Sequence, residues 1–274
     1  MSSLPVTVAK DRVLPGEAYL LDTPVLRTHA GTQPDLFLRW NAVPRSATAI
    51  DVVVFLHGFS QEGGSMPLSE KVGRSGLDLS GRTRPTLAMI PRGNWLRYSW
   101  YDFPALLGGG LDTLVEYAVG HFRQAIAIAE LKVDRLILMA HSGGGMPAVD
   151  AIAGAVRAPD ELYIFDGLYG RDPSRDDPLR GLETLDRWLA KRVAAEPARP
   201  GALRVVYIER QTGEFSRELA KSVTRHLAAA DAALTAGLSR RYKVEVSGVP
   251  HGYIARECAP ALLAASDAMF DWAR

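Results

Sequence analysis

The sequence predicts an α/β fold with a mostly parallel central sheet flanked by helices. Short continuous apolar runs suit strands that are buried on both faces of such a sheet, and they lie at 51–56, 86–91, 135–140, 162–166 and 203–209. Helical patterns separate these runs, as in successive βαβ units. The chain has 274 residues, 47% of them hydrophobic, which is enough for one large core. We therefore expect a single domain over residues 1–274.

The remaining elements complete this prediction in chain order. Residues 1–16 are loop-like, and strands at 18–25 and 36–40 are expected to pair antiparallel at a sheet edge. Residues 242–246 alternate between apolar and polar side chains and predict a final strand. Apolar residues at three- and four-residue steps predict a helix over 111–126, and further helices are expected at 146–156, 178–194, 215–236 and 253–273.

Composition and charge argue against a nucleic-acid-binding, membrane-spanning or disulfide-bonded protein. The net charge of +1 does not favour nucleic acid or an anionic membrane surface as a partner. No apolar run reaches membrane-spanning length, and residues 1–10 lack the apolar core of a secretory signal, so we expect a cytoplasmic protein. Cys258 is the one cysteine, which rules out an internal disulfide, and a buried structural thiol is expected there.

The most informative segment is 136–146, where an apolar run ends at Ser142 among small residues. The pattern predicts a strand, a tight turn with the serine at its apex, and then a helix. Such a turn is strained and needs small residues two positions to either side, and Ala140 and Gly144 meet that need. The start of the helix would point at the serine hydroxyl. A solvated serine in an ordinary glycine-rich turn is the alternative.

A serine hydroxyl needs a base to become a nucleophile. His251 lies between the last predicted strand and the last predicted helix, and Pro250 and Gly252 fix its loop. This position lets an imidazole reach the serine, whereas the alternative is a histidine bonded to solvent. His141 adjoins the serine and is expected to pack beneath the turn.

Acyl transfer also needs hydrogen-bond donors for an oxyanion. Gly58 follows the first long buried strand and lets the chain turn sharply, which would free the amide of Phe59 to face the site. The amide of Gly143, at the positive end of the helix, would be the second donor. An ordinary turn is the alternative reading of this segment.

Together, residues 57–59, residues 140–144 and His251 resemble the α/β-hydrolase family, and the resemblance extends from about Asp35 to the C-terminus. It implies an α/β-hydrolase fold and a Ser–His pair, but not a particular substrate. Family members usually carry the acid after the next-to-last strand, where Thr212 stands here.

Some members of the family instead carry the acid one strand earlier, and in this chain Asp166 ends that strand. The order Ser142, Asp166, His251 keeps the family's sequence of serine, acid and histidine. Glu209 is the alternative acid at the next strand end, and Glu214 is a weaker candidate.

Two segments bear on substrate binding. Residues 170–200 separate two strands, and the resemblance implies a short lid there. Aromatic residues are dense in 94–103, after another strand end, and loops at such ends hold substrate determinants. We expect the pocket to be lined by Trp100, Tyr101, Met146 and Tyr169, although core packing explains these aromatics equally well.

The sequence carries neither a metal motif nor a phosphate-binding glycine loop, so no cofactor is expected. We predict a serine hydrolase that cleaves a carboxylic ester, or else a thioester or amide, of a small acyl substrate. The alternatives are a non-catalytic binding protein of the same fold and, among enzymes, a peptidase, amidase or carbon–carbon bond hydrolase. The sequence leaves the oligomeric state open.

Overall fold

The computed structural model describes residues 4–58, 67–94, 103–170, 179–196, 198–230 and 232–271. The strands in these ranges are β1 Val8–Ala9, β2 Arg12–Val13, β3 Gly16–Leu20, β4 Leu36–Trp40, β5 Val43–Pro44, β6 Ala49–Leu56, β7 Thr86–Pro91, β8 Lys132–His141, β9 Glu161–Phe165, β10 Ala202–Tyr207 and β11 Tyr242–Val246. The helices are α1 Leu68–Ser75, α2 Gly110–Ala125, α3 Gly145–Gly154, α4 Leu182–Ala194, α5 Gly213–Ala228, α6 Ala232–Arg241 and α7 Ile254–Asp271.

Within the described ranges, eight strands form the main sheet in the order β11-β10-β9-β8-β6-β7-β4-β3. The six strands from β11 to β7 are parallel, while β4 and β3 are antiparallel and close one edge. The prediction of a mostly parallel sheet with an antiparallel edge is confirmed. After β7 the chain crosses back over β6 to form β8, so the direction of strand addition reverses there. Ligands of open parallel sheets bind at such a reversal.

Helices cover both faces of the sheet. Successive side chains of a strand point to opposite faces, so a strand that is buried on both sides needs a layer of helices on each. In β6, Val52, Val54 and Leu56 belong to the core cluster that contains α2, α3, α4 and α5. Val53 and Phe55 belong to the second cluster, which contains α1 and α7. Every residue of β6 from Val52 to Leu56 is at most 1% exposed, which explains why this part of the strand is an unbroken apolar run.

The structure departs from the predicted elements at four places. The strand expected at 18–25 is β3, which ends at Leu20, and Pro24–Leu26 is a 3₁₀ helix. Residues 1–16, expected to be loop, contain β1 and β2, which pair with each other and form a small separate sheet in which β2 also pairs with β5. The single helix expected over 215–236 is instead two helices, α5 and α6, and no glycine or proline marks the break between them. Helix α1 was not predicted, since it is only eight residues long.

The segment predicted as a lid contains helix α4, which flanks the sheet. Its side chains Leu185, Trp188 and Leu189 are buried in the core. The Trp188 indole donates to the carbonyl of Pro159, 3.0 Å away, just before the start of β9. That contact is at the opposite end of the strand from Asp166. Residues 171–178 lie outside the described residues, and a lid there stays a prediction.

Candidate active site

Ser142 lies between β8 and α3 and has a strained backbone conformation. Its φ of 52° is in the left-handed region, which is costly for a residue with a side chain. A Cβ added at Gly144 would lie 2.3 Å from the carbonyl oxygen of Leu56, and one at Gly145 would lie 2.1 Å from that of Gly167. The small residues after the serine are therefore required by close backbone contacts on both sides.

Three side chains from distant parts of the sequence meet at this turn. The Nε2 of His251 lies 2.8 Å from the Oγ of Ser142. Its Nδ1 lies 2.6 Å from the Oδ2 of Asp166. The result is one continuous chain of hydrogen bonds from the carboxylate through the imidazole to the serine hydroxyl.

Asp166 follows β9 and also has a left-handed backbone, with φ of 45°. Its second carboxylate oxygen accepts a hydrogen bond from the amide of Ile208 at 3.1 Å and one from the hydroxyl of Thr212. Burial favours the neutral acid, but the hydrogen bonds from His251 and these two donors outweigh it and lower the pKa of Asp166. The carboxylate is therefore ionised at neutral pH.

Thr212 occupies the place where the family resemblance implies the usual acid. It is 1% exposed, and its hydroxyl also lies 3.3 Å from the carbonyl oxygen of Ile208. The residue at the usual acid position thus acts as a hydrogen-bond partner of Asp166. In the sequence Thr212 is a departure from the family pattern, and no local signal there indicates this bond.

The alternative acids lie elsewhere. Glu209 is exposed, accepts a hydrogen bond from the Tyr207 hydroxyl at 3.2 Å and pairs with Arg217. Glu214 is exposed in the first turn of α5. The structure brings Asp166 to the imidazole and leaves both glutamates at the surface.

His141 fixes the loop that carries His251. Its Nε2 donates to the carbonyl of His251 at 2.9 Å, and the two rings lie 5.0 Å apart between centroids. Burial lowers the pKa of His141 to about 4, so the ring is neutral at neutral pH. This contact was missed in the sequence, although the position of His141 next to the serine was the available signal.

Gly58 lies against Ser142, where a Cβ would come 2.7 Å from the serine Cβ. Its carbonyl accepts hydrogen bonds from the buried Lys71 ammonium at 2.8 Å and from the Nδ1 of His57 at 3.1 Å. The Nε2 of His57 accepts from the amide of Gly93 at 3.1 Å. This network fixes the end of β6 beside the serine.

The predicted oxyanion donors are only partly described. Phe59 lies outside the described residues. Gly143 is in the 3₁₀ turn Ser142–Gly144 that leads into α3, where the first backbone amides have no partner inside the helix.

The predicted pocket residues fall into three groups. Trp100 and Tyr101 lie outside the described residues. The hydroxyl of Tyr169 lies 3.3 Å from the Oγ of Ser142. Met146 is half-buried in α3 and packs against the core near Gly181.

The described residues also bear on metal binding and membrane crossing. In those ranges no group of three or more His, Cys, Asp and Glu side chains is placed to hold a metal ion. Among the helices of the same ranges, none has the length and apolar character needed to cross a membrane.

Three solved structures that are similar to this chain are hydrolases by their titles. A ferulic acid esterase matches with a TM-score of 0.52 and 11% identity, covering 95% of this chain and 98% of that one. FphF, a fluorophosphonate-binding serine hydrolase of Staphylococcus aureus, has a TM-score of 0.50 and 11% identity, covering 95% and 99%. Esterase B from Lactobacillus rhamnosis has a TM-score of 0.50 and 13% identity, covering 98% and 90%.

The sheet order and these similarities identify the chain as having the α/β-hydrolase fold. No protein-family model and no curated protein matches the sequence. Since the identities are this low, the similarity concerns the fold, and the chemistry has to be argued from the site.

Proposed function

We propose that this chain is a serine hydrolase that cleaves a carboxylic ester through an acyl-enzyme on Ser142. The observation that carries the proposal is the chain of hydrogen bonds from Asp166 through His251 to Ser142. His251 takes the proton of the serine hydroxyl as Oγ attacks the acyl carbon and returns it to the leaving oxygen. Asp166 holds the imidazole in the tautomer that presents an unprotonated Nε2 to the serine.

The charge that develops on the carbonyl oxygen needs donors fixed in advance. We assign this role to the amides of Phe59 and Gly143. The clamp on the Gly58 carbonyl by Lys71 and His57 supports the assignment, because it fixes the backbone just before Phe59. We assign substrate contacts to Trp100, Tyr101, Met146 and Tyr169.

The competing function is that of a binding protein on the same fold. A binding site has no use for an imidazole bonded at once to a buried carboxylate and to a strained serine, and this favours catalysis. Thioester and amide bonds are within the proposed chemistry. The alternatives among enzymes are a peptidase, an amidase and a carbon–carbon bond hydrolase, because the same nucleophile can serve all of them.

Fluorophosphonate labelling with peptide mass spectrometry tests the proposal. We expect a stoichiometric adduct on Ser142 that is absent from Ser142→Ala and strongly reduced in His251→Ala. Ser80→Ala, a change at an exposed serine in the loop after α1, is the matched control and should label like the wild type.

Turnover of an ester panel completes the test. Ser142→Ala should lower kcat on the order of 10⁶-fold, as when the nucleophile of a triad is removed. A folded wild-type protein that forms no adduct and turns over no ester would contradict the proposal and favour the binding protein.

A further inference from the structure

The hydroxyl of Tyr169 is within hydrogen-bond distance of the proposed nucleophile, and a residue that only lines the pocket would not need this contact. It lies 3.3 Å from the Oγ of Ser142. Tyr169 follows Asp166 by three residues, and Gly167 between them packs on the serine turn, where a Cβ would come 2.8 Å from the carbonyl oxygen of Ser142. The same backbone segment therefore positions both the acid and this phenol.

The positions of the protons decide which group is the donor in the hydrogen bond between Tyr169 and Ser142. The Nδ1 of His251 donates to Asp166, so Nε2 carries no proton and accepts the single proton of the serine hydroxyl. Ser142 then has only acceptor capacity left for Tyr169, and the phenol donates to Oγ. Burial raises the pKa of Tyr169, which keeps the phenol protonated at neutral pH.

The sheet order gives the side from which Tyr169 approaches. Strand β8 lies between β6 and β9, so Gly58 reaches Ser142 from one side and Tyr169 from the other. His251 comes from beyond β11, on the same side as Tyr169. The proposed oxyanion amide of Phe59 follows Gly58. Tyr169 therefore stands on the side of the imidazole, which protonates the leaving group.

We propose, on the basis of the function proposed above, that Tyr169 is a catalytic residue that donates a hydrogen bond to the leaving-group oxygen during acylation. The bond from Oγ to the acyl carbon forms and the bond from that carbon to the alcohol oxygen breaks. The serine proton passes through Nε2 of His251 to the departing oxygen, while Tyr169 keeps its own proton and stabilises the negative charge that develops there. Once Oγ has bonded to carbon, it is a weaker acceptor. The phenol of Tyr169 can then donate its hydrogen bond to the leaving-group oxygen instead.

This role makes a specific prediction about leaving groups. A phenolate such as 4-nitrophenolate is stable in water and gains little from an added donor. An alkoxide is a much stronger base, and a hydrogen bond to it is correspondingly stronger. Tyr169 would therefore extend the activity to esters of aliphatic alcohols.

The test compares Tyr169→Phe with the wild type on esters of one acyl group with 4-nitrophenol, phenol, trifluoroethanol and ethanol. We expect kcat/KM, which reports acylation, to fall on the order of 10- to 100-fold for the ethyl ester and only about threefold for the 4-nitrophenyl ester, as the hydrogen bond is lost. Tyr117→Phe, the same change on α2, should alter neither.

Two results would overturn the role of Tyr169. Equal losses across all four alcohols would mean that the phenol acts through packing or the oxyanion, and unchanged rates would mean that it takes no part. Fluorophosphonate labelling of Ser142 in the same variant, with its melting temperature, shows whether the nucleophile and the fold are intact. Failure of the proposed function is distinct, since the wild type itself would then neither label nor hydrolyse the esters.

Discussion

At the scale of single residues, Asp166 and Glu209 illustrate how environment separates two carboxylates that look equivalent in the sequence. Both closely follow a buried strand, β9 for Asp166 and β10 for Glu209. Asp166 is 3% exposed and bonded to the imidazole, whereas Glu209 is exposed and paired with Arg217. A buried carboxylate is stable only with such partners, and the partners of Asp166 are those that a triad requires.

The first prediction follows from this contrast. Asp166→Asn should lower kcat on the order of 10⁴-fold, because an amide no longer holds the imidazole in the required tautomer. Glu209→Gln, the matched change of a carboxylate to an amide, should stay within about twofold, since surface ion pairs contribute little. Steady-state hydrolysis of a 4-nitrophenyl ester measures both. A large loss of kcat in Glu209→Gln together with a normal kcat in Asp166→Asn would show that Glu209, and not Asp166, is the acid.

His57 gives a second prediction at the same scale. Burial lowers its pKa to about 3, whereas in the unfolded chain it is about 6.5. Between these values the unfolded state binds a proton that the folded state does not, so stability falls as the pH falls. His141, with a pKa of about 4, acts in the same direction.

Urea unfolding at pH 7 and pH 5 should therefore show a loss of up to about 1.4 kcal/mol per pH unit for each such histidine. His57→Asn should have a shallower dependence over this interval, even if it is less stable at pH 7. A slope identical to that of the wild type would contradict the neutral state of His57.

At the scale of elements, the end of β6 and the turn after β8 fit together at Gly58. In Gly58→Ala the new Cβ would lie 2.7 Å from the Cβ of Ser142, an atom that moves only with its backbone. We expect kcat to fall on the order of 10²-fold as the nucleophile shifts. Fluorophosphonate labelling rates give a second measure of the same displacement.

Gly73→Ala is the matched control, because a Cβ there meets no atom within 4 Å. It lies in α1, where alanine is the better helix former by about 1 kcal/mol, so the variant should be active and slightly more stable. Similar kinetics for the two variants would argue against a tight fit at Gly58.

At the scale of the whole molecule, the proposed active site and a buried ionic cluster lie at opposite ends of the parallel strands. Near the start of β6, Asp51 bonds Arg82 at 2.6 Å with both side chains fully buried, and it also bonds Arg84 at 2.9 Å. The serine turn lies at the other end of the strand. Loss of charge at Asp51 should therefore affect folding and leave the site geometry intact.

Asp51→Asn should lower the free energy of unfolding by about 3–5 kcal/mol, because it removes the negative charge from a fully buried pair with Arg82. The kcat/KM of the folded fraction should match that of the wild type at a temperature well below the transition. Glu218→Gln, at an exposed pair with Lys221, is the control and should change stability by less than about 1 kcal/mol. An equally mild Asp51→Asn would contradict a structural role for the cluster.

The sequence by itself determined the eight strands of the main sheet, although not the bounds of each one. Strand β7 was predicted at its observed bounds, as was β11. The reason is local. Strand β7 is buried throughout and almost entirely apolar, β11 alternates apolar and polar side chains, and small residues must surround a serine in a left-handed turn. Short or charged elements such as α1 left no comparable pattern.

Only the tertiary structure decided which side chains meet. Ser142 and His251 are 109 residues apart, and Asp166 and His251 are 85 apart. The hydrogen bonds of Thr212 and His141 depend on the order of β8, β9 and β10 in the sheet. The packing of α4 against one face of the sheet depends on the same strand order. Strand order results from the burial of the whole set of helices and strands together, and no short stretch of sequence encodes it.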